Sequence, residues 1–250
     1  MPVEVTMGVT LKAARIVQLT DTHFSAAAGV PAQWPATLRW LREDPPDLVV
    51  HSGDIVLEDP DDDADRDFAR RLLTALPAPL HCIPGNHDVG MYGDDGPRAR
   101  RVATFRETWG DDRFADDLVG WRVIGVDAYL LGDEEHDAWL RRVARVPRPV
   151  LAFIHQPLEG DPCDGWEMPP AARQTFELAV DGADLRVIAS GHRHAAARFG
   201  RAVWAPSLTL EGDAAIGGDP CCGVVEHVIR TDGHHESRVV RPWEAPPASA

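Results

Sequence analysis

The stretch "PLHCIPGNHD", Pro79 to Asp88, decides how this chain is read. Its first half is short and apolar, the pattern of a buried strand. Its second half, Gly85-Asn86-His87-Asp88, breaks the strand and presents an amide, an imidazole and a carboxylate in succession. Open α/β sheets place their ligands beyond the carboxyl ends of the strands. The fold is therefore decided by whether other strands end in the same way.

They do. "AARIVQLT" (13–20) runs into Asp21-Thr22-His23, and "DLVVHSGD" (47–54) ends at Gly53-Asp54. "PVLAFIHQP" (149–157) passes through His155, and "LRVIASGHRH" (185–194) ends at His192-Arg193-His194. Helical spacing predicts helices over 33–44, 63–76, 98–110, 133–146 and 170–180, with a further strand over 118–128. Helices 63–76 and 133–146 carry acids before bases, as the helix dipole favours. Short strands are expected from 201 onward. This alternation indicates an α/β fold. With no internal repeat and no linker-like break, 1–241 is expected to form a single domain, with 242–250 as a disordered Pro/Ala-rich tail.

Seven donors stand at these strand ends: oxygens from Asp21, Asp54 and Asn86, and imidazoles from His23, His155, His192 and His194. That is too many for one ion and suits two ions sharing a carboxylate. Oxygen and nitrogen donors without thiolate fit Mn, Fe, Zn, Co or Ni rather than a structural zinc knot.

Composition narrows the function further. The chain has 250 residues and a net charge of −15, which disfavours a nucleic-acid polymer as partner but allows a small phosphorylated one. No apolar run reaches membrane-spanning length, and the N-terminus lacks a basic patch followed by an apolar segment. Cys82, Cys163, Cys221 and Cys222 show no CxxC spacing. A reduced, cytoplasmic protein without membrane contact is expected, and a homodimer stays open.

The ordered set D-x-H, G-D, G-N-H-D, a lone His and G-H-x-H resembles the calcineurin-like metallophosphoesterase superfamily. Every element is present, in order, from Asp21 to His194. The resemblance implies a four-layer α/β/β/α fold: two packed mixed sheets flanked by helices. It implies that Asp21, His23 and His194 hold one divalent ion and that Asn86, His155 and His192 hold the other, with Asp54 bridging. It implies hydrolysis of a phosphate ester by a metal-bridged hydroxide. His87 is then free to donate a proton to the leaving oxygen, and Asp88 to orient that imidazole or position the loop. Purple acid phosphatases carry a tyrosine three residues after the bridging aspartate; Leu57 stands there. Length and motif spacing look most like bacterial class III cyclic nucleotide phosphodiesterases. His155-Gln156-Pro157 departs from that branch, which often has more than one histidine before the proline. A phosphatase acting on a small metabolite is the alternative, and a non-catalytic binding module a third possibility.

Other residues take plainer readings. His51 and His81 are expected as packed strand histidines, and His136, His227, His234 and His235 as solvent or C-terminal sheet positions. The acidic run 58–67 lacks EF-hand spacing and reads as a solvated helix start. Gly191 is expected to let the backbone turn out of its strand, and Arg193 to point away from the ligands if the loop is extended. Trp166 and Tyr92 are candidate substrate contacts, from the segments that follow His155 and Asp88.

Overall fold

A computed structural model describes residues 11–57, 61–93, 95–158, 166–212 and 217–244. Cys163, the tip of the segment after His155, the first residues of the acidic run and most of the expected tail lie outside these. In chain order the elements are β1 (Ala13–Leu19), α1 (Trp34–Glu43), β2 (Leu48–His51), α2 (Asp63–Leu73), β3 (Leu80–Cys82), α3 (Asn86–Val89) and α4 (Asp95–Trp109). There follow β4 (Phe114–Leu118), β5 (Trp121–Val126), a 3-10 turn (Ala128–Leu130), α5 (Glu134–Ala144), β6 (Val150–Ile154) and α6 (Pro170–Val180). The chain closes with β7 (Leu185–Ser190), β8 (Ala195–Phe199), β9 (Ala202–Trp204), β10 (Asp219–Pro220), β11 (Val224–Arg230) and β12 (His235–Val240).

The strands form two mixed sheets, in the orders β12-β11-β1-β2-β3 and β10-β8-β9-β7-β6-β5-β4. Alternation along each strand builds two cores at once. Ile16, Leu48, Val50, Val123, Leu151, Phe153, Val187 and Val225 form a buried cluster drawn from both sheets. Their neighbours Val17, Leu19, Val49, Ile124, Ala152, Ile154 and Ile188 pack in a second cluster with Leu41, Leu73, Leu140 and Phe176 of the helices. Each central strand is buried on both faces, so its sequence reads as continuously apolar. Trp121 Nε1 also donates to the Arg230 carbonyl at 2.9 Å, joining β5 to the end of β11.

Local chemistry sets the helix starts. Asp62 accepts from Ala64 N ahead of α2, and Asp133 accepts from His136 N ahead of α5. Pro lies in the first turn of α1 and of α6. The strand expected over 118–128 is the second arm of a hairpin. Val119 and Gly120 both take positive φ (41° and 83°), making the two-residue turn between β4 and β5. Asp116 and Asp117 are poor strand formers and hid the first arm. No helix among the described residues is long and apolar enough to cross a membrane.

Two histidine expectations are corrected. His136 is fully buried on α5, with Nδ1 3.1 Å from Arg113, and is not a solvent position. His81 is half-exposed at the sheet edge, where it stacks on Phe114 and meets Asp116 at 2.8 Å. Edge position decides that difference: β3 ends its sheet, so one flank has no neighbouring strand.

Phe153 meets His227 of the opposite sheet edge-on at 5.4 Å. Phe153→Ala is expected to cost about 3–5 kcal/mol, read as a fall in the urea midpoint. Asp127, at the end of β5, is fully buried; burial and the neighbouring Asp112 charge hold its carboxyl well above the usual range. The folded state therefore keeps a proton that the unfolded chain releases, so this group's contribution to stability falls as pH rises above the ordinary carboxylate range. Asp127→Asn should raise the urea midpoint relative to the unsubstituted chain at pH 8 and change it little at pH 4.

Candidate metal centre

β1, β2 and β3 run parallel in one sheet, and β5, β6 and β7 in the other. Their carboxyl ends carry the predicted donors to one place. His194 Nε2 lies 3.0 Å from His23 Nε2 and 3.2 Å from Asp21 Oδ1. His155 Nε2 lies 3.2 Å from His192 Nδ1 and 3.3 Å from Asn86 Oδ1. Asp54 Oδ2 stands between the two groups, 4.0 Å from His23 Nε2 and 3.3 Å from His155 Nε2. All seven expected donors are thus brought together.

The backbone is bent to do this. Asp21, His23, Asp54, His192 and His194 all take left-handed φ, between 44° and 68°. Side chains other than glycine rarely adopt this region, and strain of this kind concentrates at functional sites. The loops are therefore coiled rather than extended, which corrects the expected geometry of the His192–His194 step. Gly191 does not take a left-handed φ. Glycine is needed there because a Cβ would fall on Thr20 Oγ1 and Asp21 Oδ2. Arg193 is buried, pairs with Glu167 and lies over the Trp204 ring at 4.5 Å.

His87 sits beside the donors, its ring edge-on to His23 at 4.8 Å. Its Nδ1 meets the Leu57 carbonyl and its backbone N–H donates to Asp54 Oδ1 at 2.8 Å. One nitrogen of His87 falls within 4.8 Å of donor atoms of His23 and Asp54. Asp88 does not orient the His87 ring. Its carboxylate accepts from Gly85 N at 2.8 Å and Ile55 N at 3.1 Å, clamping the loop after β2 to the loop after β3. Trp166 lies against His192, with ring centres 5.2 Å apart. Tyr92 turns elsewhere: its hydroxyl donates to the Ala128 carbonyl at 2.9 Å and its ring rests on Tyr129.

Sequence reasoning missed the residues that support the donor loops. Ser207 Oγ donates to the Asp21 carbonyl at 2.7 Å, and Thr209 Oγ1 donates to the Thr22 carbonyl at 3.1 Å. Gln18 Nε2 donates to Ser52 Oγ at 2.8 Å. Ser52 in turn offers its carbonyl to His155 Nδ1 at 2.9 Å, leaving Nε2 for the cluster. A hydroxyl or amide distant in sequence carries no motif that would reveal such a role. A cavity of about 590 Å³ beside Arg106, Arg113 and Trp139 contains none of the donors.

The electrostatics fit a cation. Burial opposes ionisation of Asp54, but the His155 charge and hydrogen bond outweigh it and hold the carboxyl well below its usual range. Burial lowers His155, yet the Asp54 charge and hydrogen bond push it up to about 9. Burial and the His155 charge push His192 down to about 4. The buried Asp54 carboxylate is thus stabilised by positive charge beside it, a condition that a bound cation also meets. The donor set of carboxylate, amide and imidazole, buried and convergent, fits divalent metal ions.

The calcineurin-like phosphoesterase family model matches residues 14–196, which contain every one of these donors. The chain belongs to that family. Among curated members it is 29% identical over 133 residues to the bovine (Bos taurus) serine/threonine-protein phosphatase CPPED1, covering 46% of this chain and 41% of that one. It is 28% identical over 202 residues to the 3′,5′-cyclic adenosine monophosphate phosphodiesterase CpdA of Pseudomonas aeruginosa, covering 72% of this chain and 69% of that one. The chain spans about half the length of the CPPED1 proteins it matches. In fold it is similar to a dimetal phosphatase from Danio rerio, with a TM-score of 0.61, 13% identity, and 90% of this chain and 98% of that one covered.

The close packing at Gly191 gives a direct check. Gly191→Ala is expected to displace Thr20 and Asp21 and to reduce bound metal per chain, although residue 191 offers no ligand. Elemental analysis of the protein after loading with Mn²⁺ or Zn²⁺ measures it.

Proposed function

We propose that this chain is a dinuclear metal-dependent phosphoesterase, acting on small phosphodiesters of the cyclic-nucleotide type. The observation that carries the reading is the position of Asp54 between two donor groups, with His87 left beside them. Asp21, His23 and His194 would hold one ion and Asn86, His155 and His192 the other, with Asp54 shared. When bound, the ions supply a lowered pKa for water and positive charge for phosphoryl oxygens.

The chain's own residues do the rest. His87 is fixed through Nδ1 on the Leu57 carbonyl, so its Nε2 is the end free to meet a leaving oxygen. Proton donation from such a group is worth about 10²–10⁴-fold in rate. Asp88 sets the position of His87 through the loop backbone rather than through the ring. Trp166 offers an apolar face beside His192, suited to a base or an aryl group. The net charge of −15 disfavours a polymeric nucleic acid and is compatible with a small ester as the partner.

The similarity to CpdA, which extends over more of this chain than that to CPPED1, favours the diesterase reading. The second reading, a phosphomonoesterase, is favoured by Gln156 standing next to His155 and by the similarity to a phosphatase.

Side-by-side rates on bis(aryl) phosphate, aryl monophosphate, 3′,5′-cyclic AMP and 2′,3′-cyclic AMP decide between them. Preference for diesters is expected; a strong monoester preference overturns that choice. His87→Ala should keep its metal content and lose about 10²–10⁴-fold in rate on esters with poor leaving groups. An unchanged rate on such esters would remove His87 as the proton donor.

A further inference from the structure

Gln156 follows His155 directly at the end of β6 and is buried, with 1% of its surface exposed. Its amide nitrogen lies 3.4 Å from His192 Nε2. The other nitrogen of that ring, Nδ1, is the one that faces the donors, 3.2 Å from His155 Nε2. An imidazole that ligates through Nδ1 is neutral and keeps its proton on Nε2. That N–H points into buried surroundings, where a donor without an acceptor is costly. Trp166 stands beside the ring, tilted to it, with ring centres 5.2 Å apart.

Gln156 Oε1 is buried and has no hydrogen-bond partner among the described residues. The two ends of a carboxamide have nearly the same shape, so a half-turn of the amide presents Oε1 where Nε2 now stands. We propose that Gln156 is the positioning residue for His192: its Oε1 accepts the Nε2–H and thereby commits Nδ1 to the ion. With the amide turned over, the proton sits on Nε2 and Nδ1 is free. This rests on the reading that Asp54, His155 and His192 hold an ion.

Zn²⁺ alone serves as the probe, with affinity measured by chelator competition and His192 ring nitrogens followed by ¹⁵N NMR in the loaded protein. The variants are Gln156→Met, which keeps the volume without an acceptor, Gln156→Glu, which can only accept, and His155→Ala. Loss of a partner that orients a ligand typically weakens metal binding about 10–100-fold. Gln156→Met should show that loss for one of two ions, Gln156→Glu should bind as tightly as the unsubstituted chain, and the loaded protein should carry the His192 proton on Nε2. Tight binding by Gln156→Met with loss in Gln156→Glu would assign the residue to packing and overturn the proposal. So would a His192 proton on Nδ1 in the loaded protein. If His155→Ala leaves Zn²⁺ content unchanged, the metal-centre reading falls and takes this one with it. If His155→Ala loses an ion while Gln156→Met does not, only the role of Gln156 falls.

Discussion

Two buried carboxylates, Asp21 and Asp54, set the terms for the surrounding structure. Both are almost wholly removed from water, and the groups facing them are imidazoles rather than arginine or lysine side chains. Negative charge buried in this way is stable only if protons or cations share it. The left-handed backbone at five donor positions, the missing Cβ at Gly191 and the clamp made by Asp88 all bring donors toward that charge. Folding energy from two apolar cores offsets the strain those loops hold.

The division of labour between the sheets follows from topology. Asp21, Asp54 and Asn86 leave strands of the five-stranded sheet, whereas His155, His192 and His194 leave strands of the seven-stranded one. Each of the two expected donor groups, Asp21, His23 and His194 on one side and Asn86, His155 and His192 on the other, draws on both sheets. His87 comes from the same short helix as Asn86, so one turn of chain delivers both a candidate ligand and a candidate proton donor.

Much of this was legible in the sequence because strand ends are marked twice. The apolar run of β6 or β7 stops where polar donors begin, and both signals agree at His155 and at His192. The two-sheet arrangement was legible only through the family resemblance, since β6 buried on both faces reads the same in one sheet or another. What stayed hidden depends on contacts between residues far apart in sequence. Ser207 supports Asp21 across 186 positions, and no local pattern announces that. Asp88 sits next to His87 in sequence, which suggested a partnership, but a helical turn sends the two side chains to different neighbours. The hydroxyl of Tyr92 likewise donates to a backbone carbonyl distant in sequence, that of Ala128. β4 was missed because its pairing with β5 overrides the weak strand preference of two aspartates.

The apolar seam between the sheets has a consequence of its own. Because the donors come from both sides of that seam, its side chains act as spacers that fix how far apart the two halves of the centre stand. One residue of slip along a strand is about 3.3 Å, comparable to the whole distance between neighbouring donors. Volume changes at Val123, Leu151 or Val187 would therefore alter chemistry as well as stability, although none of these side chains reaches the cluster. In this architecture the hydrophobic interior is also the gauge to which the reactive centre is cut.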